Sequence, residues 1–288
     1  MTTTSKKRVR SVLCTVLSFI AALLIAGGIL CTMLYVTAFN DDFAVSVTAR
    51  SKYADLLSAE LKESFISYGR ASNIEEEFFD SLFKDVITPQ KIGADTEQIL
   101  RDFYEGNVQD SVNNDDLNAA ILKNLKEYAV QKGFELDEET SENLQTVASE
   151  LCDVYNAYIS VFSLSYFRTA SRMLASYKPY VIYAAAVCAV GFVITAVIMR
   201  LFFRKKKNYL RYFVYAFSGA SLILLAAPLT ALIAGVGNRI NISSAALYTM
   251  ASGMLNSTFV SIAVSAIIPA ALTALFAVLW SSANRKNI

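Results

Sequence analysis

Four long runs without a charged side chain dominate the hydrophobic pattern of the chain. They extend over residues 11–40, 179–199, 212–238 and 240–284. A bilayer core about 30 Å thick needs roughly 20 apolar residues in a helix. Each of the first three runs therefore predicts one transmembrane helix, and the fourth predicts one helix preceded by a polar segment.

An amphipathic region, residues 37–178, separates the first two spans. Its apolar residues recur at steps of three, four and seven, a spacing typical of α-helices with one buried face. The first such stripe consists of Phe43, Val47, Ala54, Leu57, Leu61, Phe65 and Tyr68. No segment shows the alternation of a strand. The sequence thus predicts an all-α integral membrane protein in which a helical bundle lies between spans one and two, with its first helix continuing from span one.

Polar and turn residues predict where the helices of this domain begin and end. Asn73 and Glu76 have the spacing of a capping box, which predicts the start of a short helix. Thr88-Pro89 predicts its end, because a proline disfavours helical backbone at the residue before it. Asp95 predicts the N-cap of the next helix, and Gly133 suits the left-handed position after a helix end.

The last helix of the domain is predicted to be unusually long. Its apolar positions continue from Asp137, the predicted N-cap, to Tyr177. Such a helix would extend about 60 Å, which is more than a small domain requires. We therefore predict a stalk that reaches the membrane, with Lys178-Pro179 at the entry to the second span.

Charged residues divide the chain into two kinds of segment. All 25 acidic residues lie between Asp41 and Asp153, and residues 41–178 carry 13 basic residues, which gives this loop a net charge of −12. The other 13 basic residues, with the exception of Arg239, flank the spans on the opposite side. Because cytoplasmic flanks collect Lys and Arg, the sequence predicts a multi-pass protein of the cell membrane with both termini in the cytoplasm.

These patterns predict nine segments. In chain order they are a basic cytoplasmic tail (1–10), transmembrane helix 1 (11–36), the extracytoplasmic acidic domain (37–178), transmembrane helix 2 (179–203), a basic cytoplasmic turn (204–211), transmembrane helix 3 (212–236), a short extracytoplasmic segment (237–258), transmembrane helix 4 (259–281) and a cytoplasmic tail (282–288). Val36-Thr37-Ala38 resembles a signal-peptide cleavage site. The apolar run before it is about 25 residues against the usual 7–15, so we expect a retained anchor.

Residue types that are absent limit the chemistry. The chain has no histidine, which excludes Ser–His–Asp triads, Cys–His pairs and HExxH metal sites. No charged residue lies in the middle of a predicted span, where proton-coupled carriers place ionisable groups. The acidic cluster around Asp110 lacks the glycine and the glutamate of an EF-hand loop. We therefore expect a protein that is not an enzyme, without cofactor, metal or nucleic-acid partner.

Two groups of side chains are candidate binding surfaces. The first group is aromatic and suits a ligand or partner surface, although the core seam of the long helix is the alternative. It consists of Tyr155, Tyr158, Phe162 and Tyr166. The second group is the basic run of the cytoplasmic turn, which suits anionic lipid head groups as well as topology. It consists of Arg204, Lys205, Lys206 and Lys207.

Two functions fit this organisation. The first is a non-enzymatic membrane protein whose extracytoplasmic helical domain binds a ligand, an envelope component or a partner protein. The second comes from the order of one span, a large outer loop and three further spans. This order resembles the permease subunits of macrolide-exporter and cell-division ABC systems, which implies a cytoplasmic ATPase partner. Those permeases have strands in the outer domain, which this sequence does not show. Small pairs such as Ala22 and Ala26 support a packed bundle or a homo-oligomer in the lipid bilayer.

Overall fold

The computed structural model describes residues 3–108, 114–202 and 206–285. Within these ranges every regular element is helical and no strand is present, which confirms the predicted all-α class. The α-helices are α1 (Thr3–Val36), α2 (Asp41–Arg50), α3 (Tyr53–Ala71), α4 (Glu76–Asp85), α5 (Pro89–Glu105), α6 (Asp115–Gln131), α7 (Glu138–Ile159), α8 (Ser165–Phe202), α9 (Lys206–Ile233), α10 (Ala245–Ser265) and α11 (Ile267–Arg285). Two short 3₁₀ turns occupy Ser160–Ser163 and Val236–Asn238.

Four helical stretches of the described chain are long and apolar enough to cross a membrane. They are Arg10–Val36, Glu138–Phe202, Tyr209–Asn238 and Ala245–Ala283. Each stretch contains all or most of one of the four charge-free runs. A helix satisfies the backbone hydrogen bonds of such a run internally, which hydrocarbon surroundings would require. The predicted number of helical stretches that are long and apolar enough to cross a membrane is therefore confirmed.

The chain divides into two compact units. The apolar unit comprises Met1–Asn40, Ser176–Arg239 and Met254–Ile288, and the acidic unit comprises Asp41–Ala175 and Ile240–Gly253. The acidic unit contains all 25 acidic residues of the chain. It also contains the first turns of α10, which come from a segment far along the sequence.

Helix α9 holds the apolar unit together, since it packs against both α1 and α11. Small residues allow the close approach of α1, because a Cβ added to Gly219 would lie only 3.2 Å from the Cβ of Ala22. Ala22 and Ala26 are both buried. On another side of α9, the ring of Phe213 stacks on that of Phe276 with centroids 5.3 Å apart. Helix packing in this unit thus rests on small residues and stacked rings.

Helix α3 supplies much of the core of the acidic unit. Its buried residues recur at every fourth position, at Tyr53, Leu57, Leu61, Phe65 and Gly69. Helix α3 contacts α4, α5 and α7. A Cβ at Gly69 would overlap the ring of Phe79 in α4, so a larger residue would require that ring to move.

The helix that follows the first span is separate from it, so the predicted continuation is wrong. Helix α1 ends at Val36, and residues 37–40 form a turn before α2 begins. A second break follows, where Lys52 adopts a left-handed backbone with φ 55° between α2 and α3. The apolar stripe continues through both breaks, because the three helices each keep one buried face.

The predicted single helix from Asp137 to Tyr177 is also wrong. Helix α7 ends at Ile159, a 3₁₀ turn follows, and Leu164 has an extended ψ of 144° that a helix cannot include. The turn brings the ring of Phe162 against Phe103 at 5.9 Å. Beyond the turn, α8 runs without interruption through Pro179, so this proline does not mark a helix start.

Capping contacts correct several predicted boundaries. Asp137 caps α7 as predicted and accepts a hydrogen bond from the Thr140 nitrogen at 2.8 Å. Thr88 is the N-cap of α5, with Pro89 in the first turn, so Asp95 lies inside that helix. The predicted capping box at Asn73 is wrong, because Asn73 has φ 54° and the cap position is Glu75.

The fourth charge-free run contains two helices instead of the single transmembrane helix predicted at 259–281. Helix α10 starts at Ala245 and continues to Ser265, so the second half of the predicted segment 237–258 and the beginning of predicted transmembrane helix 4 form one helix. A break at Ala266 separates it from α11. The break lies three residues before Pro269, whose ring lacks an N–H and clashes with the preceding turn of a helix.

Candidate functional site

A cavity of about 200 Å³ lies between helices α2, α3 and α5 of the acidic unit. We call it the α3 cavity. Its lining residues are Val45, Thr48 and Ala49 from α2, Lys52, Tyr53, Ala54 and Asp55 at the start of α3, and Gly93, Thr96, Glu97 and Leu100 from α5. The mixture of apolar, hydroxyl and charged groups distinguishes this cavity from an ordinary packing defect, which is lined by apolar side chains.

Two hydroxyl groups of the lining can act only as acceptors. The Thr48 hydroxyl donates its proton to the Ala44 carbonyl at 2.8 Å, and the Thr96 hydroxyl donates to the Ile92 carbonyl at 2.7 Å. A threonine hydroxyl has one proton and two lone pairs. Because both protons are already used within the helices, a ligand would meet oxygen lone pairs at these positions.

Two carboxylates lie in the same lining. Glu97 is held in place by Arg101, whose Nε and Nη2 donate to one of its oxygens at 3.2 and 2.9 Å. Arg101 also donates to Asp41 at 2.7 Å and to Asp42 at 2.9 Å, at the start of α2. Its hydrogen bonds to Glu97 and Asp42 raise the pKa of Arg101 above its usual range. Asp55, the second carboxylate, is exposed in the first turn of α3.

Tyr53 forms an aromatic part of the wall and is almost fully buried, with 1% of its side chain exposed. Its hydroxyl is buried and finds no hydrogen-bond partner among the residues that the structure describes. Burial, together with the nearby charge of Glu60, raises the pKa of Tyr53 above its usual range. The Tyr53 side chain in the cavity lining is therefore a neutral phenol and not a phenolate.

Glu60, two turns further along α3, binds the start of α10. Its carboxylate accepts hydrogen bonds from the Ser244 hydroxyl at 2.8 Å and from the Ala246 nitrogen at 3.0 Å. Ser244 in turn accepts from the Leu247 nitrogen at 3.2 Å. The free N–H groups of a helix start carry partial positive charge, so a carboxylate is well suited to this position. We call this contact the α10 anchor.

The aromatic candidates do not share one surface. Tyr155 is fully buried, and its hydroxyl donates to Asp95 at 2.5 Å. Phe162 is buried too, and its ring lies 5.5 Å from that of Phe167. Tyr158 is half-buried, whereas Tyr166 has 86% of its side chain exposed. Core packing therefore accounts for Tyr155 and Phe162, and Tyr166 is the only one of the four with a largely free side chain.

The basic candidates lie at the edge of what the structure describes. Arg204 and Lys205 are outside the described residues, and Lys206 and Lys207 are the first two residues of α9. Their predicted contact with anionic lipid head groups stays a prediction.

A larger groove of about 400 Å³ occurs in the apolar unit between α1, α9 and α10. Its lining has no charged and no hydrogen-bonding side chain, and consists of Leu23, Ala26, Gly27, Leu30, Ile223, Leu224, Ala227, Pro228, Phe259 and Ile262. Such a groove offers shape but no group that would orient a ligand. Specific binding usually needs a few well-placed polar groups, so the α3 cavity is the candidate site.

Sequence reasoning missed both the α3 cavity and the α10 anchor. Glu60 and Ser244 are 184 positions apart, and no local pattern connects them. Tyr53 had a usable signal, because it stands four residues before Leu57 in the buried stripe of α3. An aromatic residue with a hydroxyl group in such a stripe is a buried polar group that needs explanation.

Comparison of the chain with protein-family models, with curated proteins and with solved structures finds no match. The resemblance to ABC-system permeases therefore rests on the order of the spans alone. Any function must be inferred from the geometry of the chain itself.

Proposed function

We propose that this chain is a non-enzymatic membrane protein with four transmembrane helices, whose acidic unit lies outside the cell membrane and recognises a small cationic ligand in the α3 cavity. The observation that carries the proposal is the lining of that cavity. The lining includes Asp55 and Glu97, which carry carboxylates, Thr48 and Thr96, whose hydroxyl protons are used within their own helices, and Tyr53. Ammonium groups bind to such acceptors and to aromatic faces.

The size and charge of the site define the ligand class. A cavity of about 200 Å³ is smaller than the roughly 300–1,000 Å³ of sites for drug-sized ligands. The loop of net charge −12 attracts cations and repels anions. Lys52 stands at the same cavity as a competing positive charge. We therefore propose a small organic ammonium compound, bound with modest affinity.

Helix α3 provides a route by which binding reaches a span. The cavity lies at its first turn, and Glu60 of the same helix forms the α10 anchor. Helix α10 is uninterrupted from Ala245 to Ser265 and belongs to the fourth apolar stretch. A ligand that moves α3 would therefore bias the position of α10, provided that two packings are close in energy.

The distribution of charge supports the proposed orientation. Outside the loop 41–178, 12 of the 13 basic residues flank the charge-free runs on the predicted cytoplasmic side, whereas all 25 acidic residues lie within that loop. To test it, Ser72→Cys and Ser282→Cys are introduced separately into a chain whose four natural cysteines are alanine. An impermeant thiol reagent on intact cells should label Cys at position 72 and miss position 282. Labelling of position 282 would refute the topology.

Ligand binding is tested with ethanolamine as the probe, on the full chain in phosphatidylcholine nanodiscs at pH 7. Isothermal titration should show saturable binding of ethanolamine and none of ethylene glycol, which has the same size but no charge. Asp55→Asn should weaken binding at least several-fold. Asp85→Asn removes the same charge at an exposed site of α4 and should leave binding unchanged. The proposal fails if ethanolamine does not bind, or if both variants weaken binding equally.

The permease-like subunit remains the second candidate, supported by the order of spans and loop. It predicts that a cytoplasmic ATPase co-purifies with the chain. The helical character of the described part of the acidic unit differs from the strand-containing outer domains of those permeases. Co-purification of an ATPase in stoichiometric amount would favour this candidate over a self-contained recognition protein.

A further inference from the structure

The charge-free runs that begin at residues 11 and 212 start beside each other in the apolar unit. Ser11 of α1 and Tyr212 of α9 are the first residues of these runs, and their hydroxyl oxygens are hydrogen-bonded at 3.0 Å. Arg10 and Arg211 are the last charged residues before the runs. Both helices therefore change from charged to apolar at one level, which is the level that lipid head groups occupy in a membrane.

Arg211 is held in place by two tyrosine side chains of its own helix. Its Nη2 donates to the Tyr212 hydroxyl at 3.1 Å, and its guanidinium carbon lies 5.0 Å from the ring centroid of Tyr212 and 5.9 Å from that of Tyr215. Tyr212 is almost fully buried, so it is a firm support. We call Ser11, Arg211, Tyr212 and Tyr215 the Arg211 cluster.

No acidic side chain of the apolar unit is available to neutralise this guanidinium. The segments of that unit contain no Asp and no Glu, because all 25 acidic residues of the chain lie between Asp41 and Asp153. In the part of the chain that the structure describes, the guanidinium makes one hydrogen bond, to Tyr212. Arginine has five N–H donors in a planar fork, so most of its capacity is left for an acceptor from outside the chain.

The position and the chemistry of the cluster fit the phosphate of a lipid. An arginine fork binds phosphate oxygens through paired, charge-assisted hydrogen bonds. Anionic phospholipids place such oxygens at the membrane surface, and basic pockets between transmembrane helices bind their head groups. Tyr215 has 49% of its side chain exposed beside the guanidinium. Tyrosine rings are enriched at this level of the bilayer.

We propose that the Arg211 cluster binds the phosphate of an anionic phospholipid. Arg211 contacts the phosphate, and Tyr212 positions Arg211. Because the Tyr212 hydroxyl also contacts Ser11, the site is complete only when α1 and α9 are packed together, and the bound lipid stabilises this packing. The site differs from the basic run 204–207, since it requires one arginine in a fixed geometry and not a summed positive charge. It rests on the proposed membrane location and is independent of the α3 cavity.

Native mass spectrometry of the full chain in mild detergent tests the site. The unmodified chain should bind phosphatidylglycerol more tightly than phosphatidylcholine. Arg211→Gln should weaken phosphatidylglycerol binding about tenfold, as expected for the loss of hydrogen bonds to a charged group. Arg200→Gln removes the same charge from an exposed position in the last turn of α8 and should leave binding nearly unchanged. Equal losses in both variants, or no preference of the unmodified chain for phosphatidylglycerol, would overturn the proposal.

Thermal unfolding in nanodiscs tests whether the bound lipid stabilises the fold. The unmodified chain should unfold at a higher temperature in phosphatidylglycerol than in phosphatidylcholine, because a ligand of the folded state stabilises it. This difference should disappear in Arg211→Gln and persist in Arg200→Gln. Tyr212→Phe keeps the ring but loses the hydroxyl that orients the guanidinium, so it should reduce the difference. A difference that Arg211→Gln leaves intact would refute the site.

A last comparison distinguishes lipid from free phosphate. Sodium phosphate is added to the chain in phosphatidylcholine nanodiscs, with sodium chloride of equal ionic strength as the control. The two salts should give the same unfolding midpoint. An increase with sodium phosphate as large as that caused by phosphatidylglycerol would show a site for the free anion and would refute the lipid assignment.

Discussion

The Glu60 carboxylate lies 3.0 Å from the backbone nitrogen of Ala246, across 186 positions of sequence. The contact places a negative charge at the start of α10, where the helix has free N–H groups. It also joins residues 240–253 to the helices of the acidic unit. The Glu60 side chain thus caps the first turn of the helix that opens the fourth apolar stretch.

Replacement of Glu60 should therefore destabilise the acidic unit. Glu60→Ala leaves the Ala246 nitrogen and the Ser244 hydroxyl without their acceptor, which should cost about 1–3 kcal/mol. Thermal unfolding of the full chain in nanodiscs measures the loss. Glu63→Ala removes an exposed carboxylate from the same helix and should leave the midpoint unchanged. An equal effect of both substitutions would show that the anchor contributes nothing specific.

Gly69 should not tolerate even a methyl group. A Cβ at this position would overlap two ring atoms of Phe79, which is itself fully buried. Gly69→Ala should therefore destabilise the protein by about 1–3 kcal/mol, as expected for overpacking of a core. Gly93→Ala is the matched control, because its Cβ would meet Ala54 at an ordinary 3.8 Å. Within a helix that substitution should raise stability by about 0.5–1 kcal/mol. Similar midpoints for the two variants would contradict the packing described.

Replacement of Lys52 by glycine should stabilise the folded protein. Its left-handed backbone, with φ 55°, costs an L-residue about 1–2 kcal/mol relative to glycine. Lys52→Gly should raise the unfolding midpoint, whereas Lys52→Ala keeps the unfavourable conformation and should not. If Lys52 competes with the ligand for the carboxylates of the α3 cavity, both variants should also bind ethanolamine more tightly. A lower midpoint for Lys52→Gly than for Lys52→Ala would contradict the strain argument.

Tyr104 should make the protein sensitive to high pH. Burial, with a smaller effect from the charge of Asp41, raises the pKa of Tyr104 to about 12 from the usual 10. The unfolded phenol loses its proton first, so this stabilisation is complete below pH 10 and is lost as the pH rises from 10 towards 12. Denaturant unfolding of the unmodified chain should therefore weaken across this window. Tyr104→Phe should show a shallower decline, and an identical decline would exclude a contribution from Tyr104.

The sequence by itself predicted the presence of the helices better than the residues at which they begin and end. Helical periodicity is a local property, so the stripe through Leu57, Leu61 and Phe65 predicted α3. The break at Leu164 has no such signal, because it depends on Phe162 packing against Phe103 of another helix. Thr88-Pro89 predicts the end of a helix, and the same two residues in fact begin α5. A proline is compatible with both positions, and only the surrounding packing selects one.

What the sequence determined is the class of protein: four charge-free runs of membrane-spanning length, a helical loop that holds every acidic residue, and the absence of histidine chemistry. These properties depend on composition and on spacing along the chain. The tertiary structure decided which side chains meet. Glu60 reaches Ala246, Arg101 fixes Glu97 beside Thr96, and Tyr155 is buried while Tyr166 is exposed on the next helix. Contacts of this kind join residues that are distant in sequence or turn a stripe inward or outward, and they arise only when the helices pack.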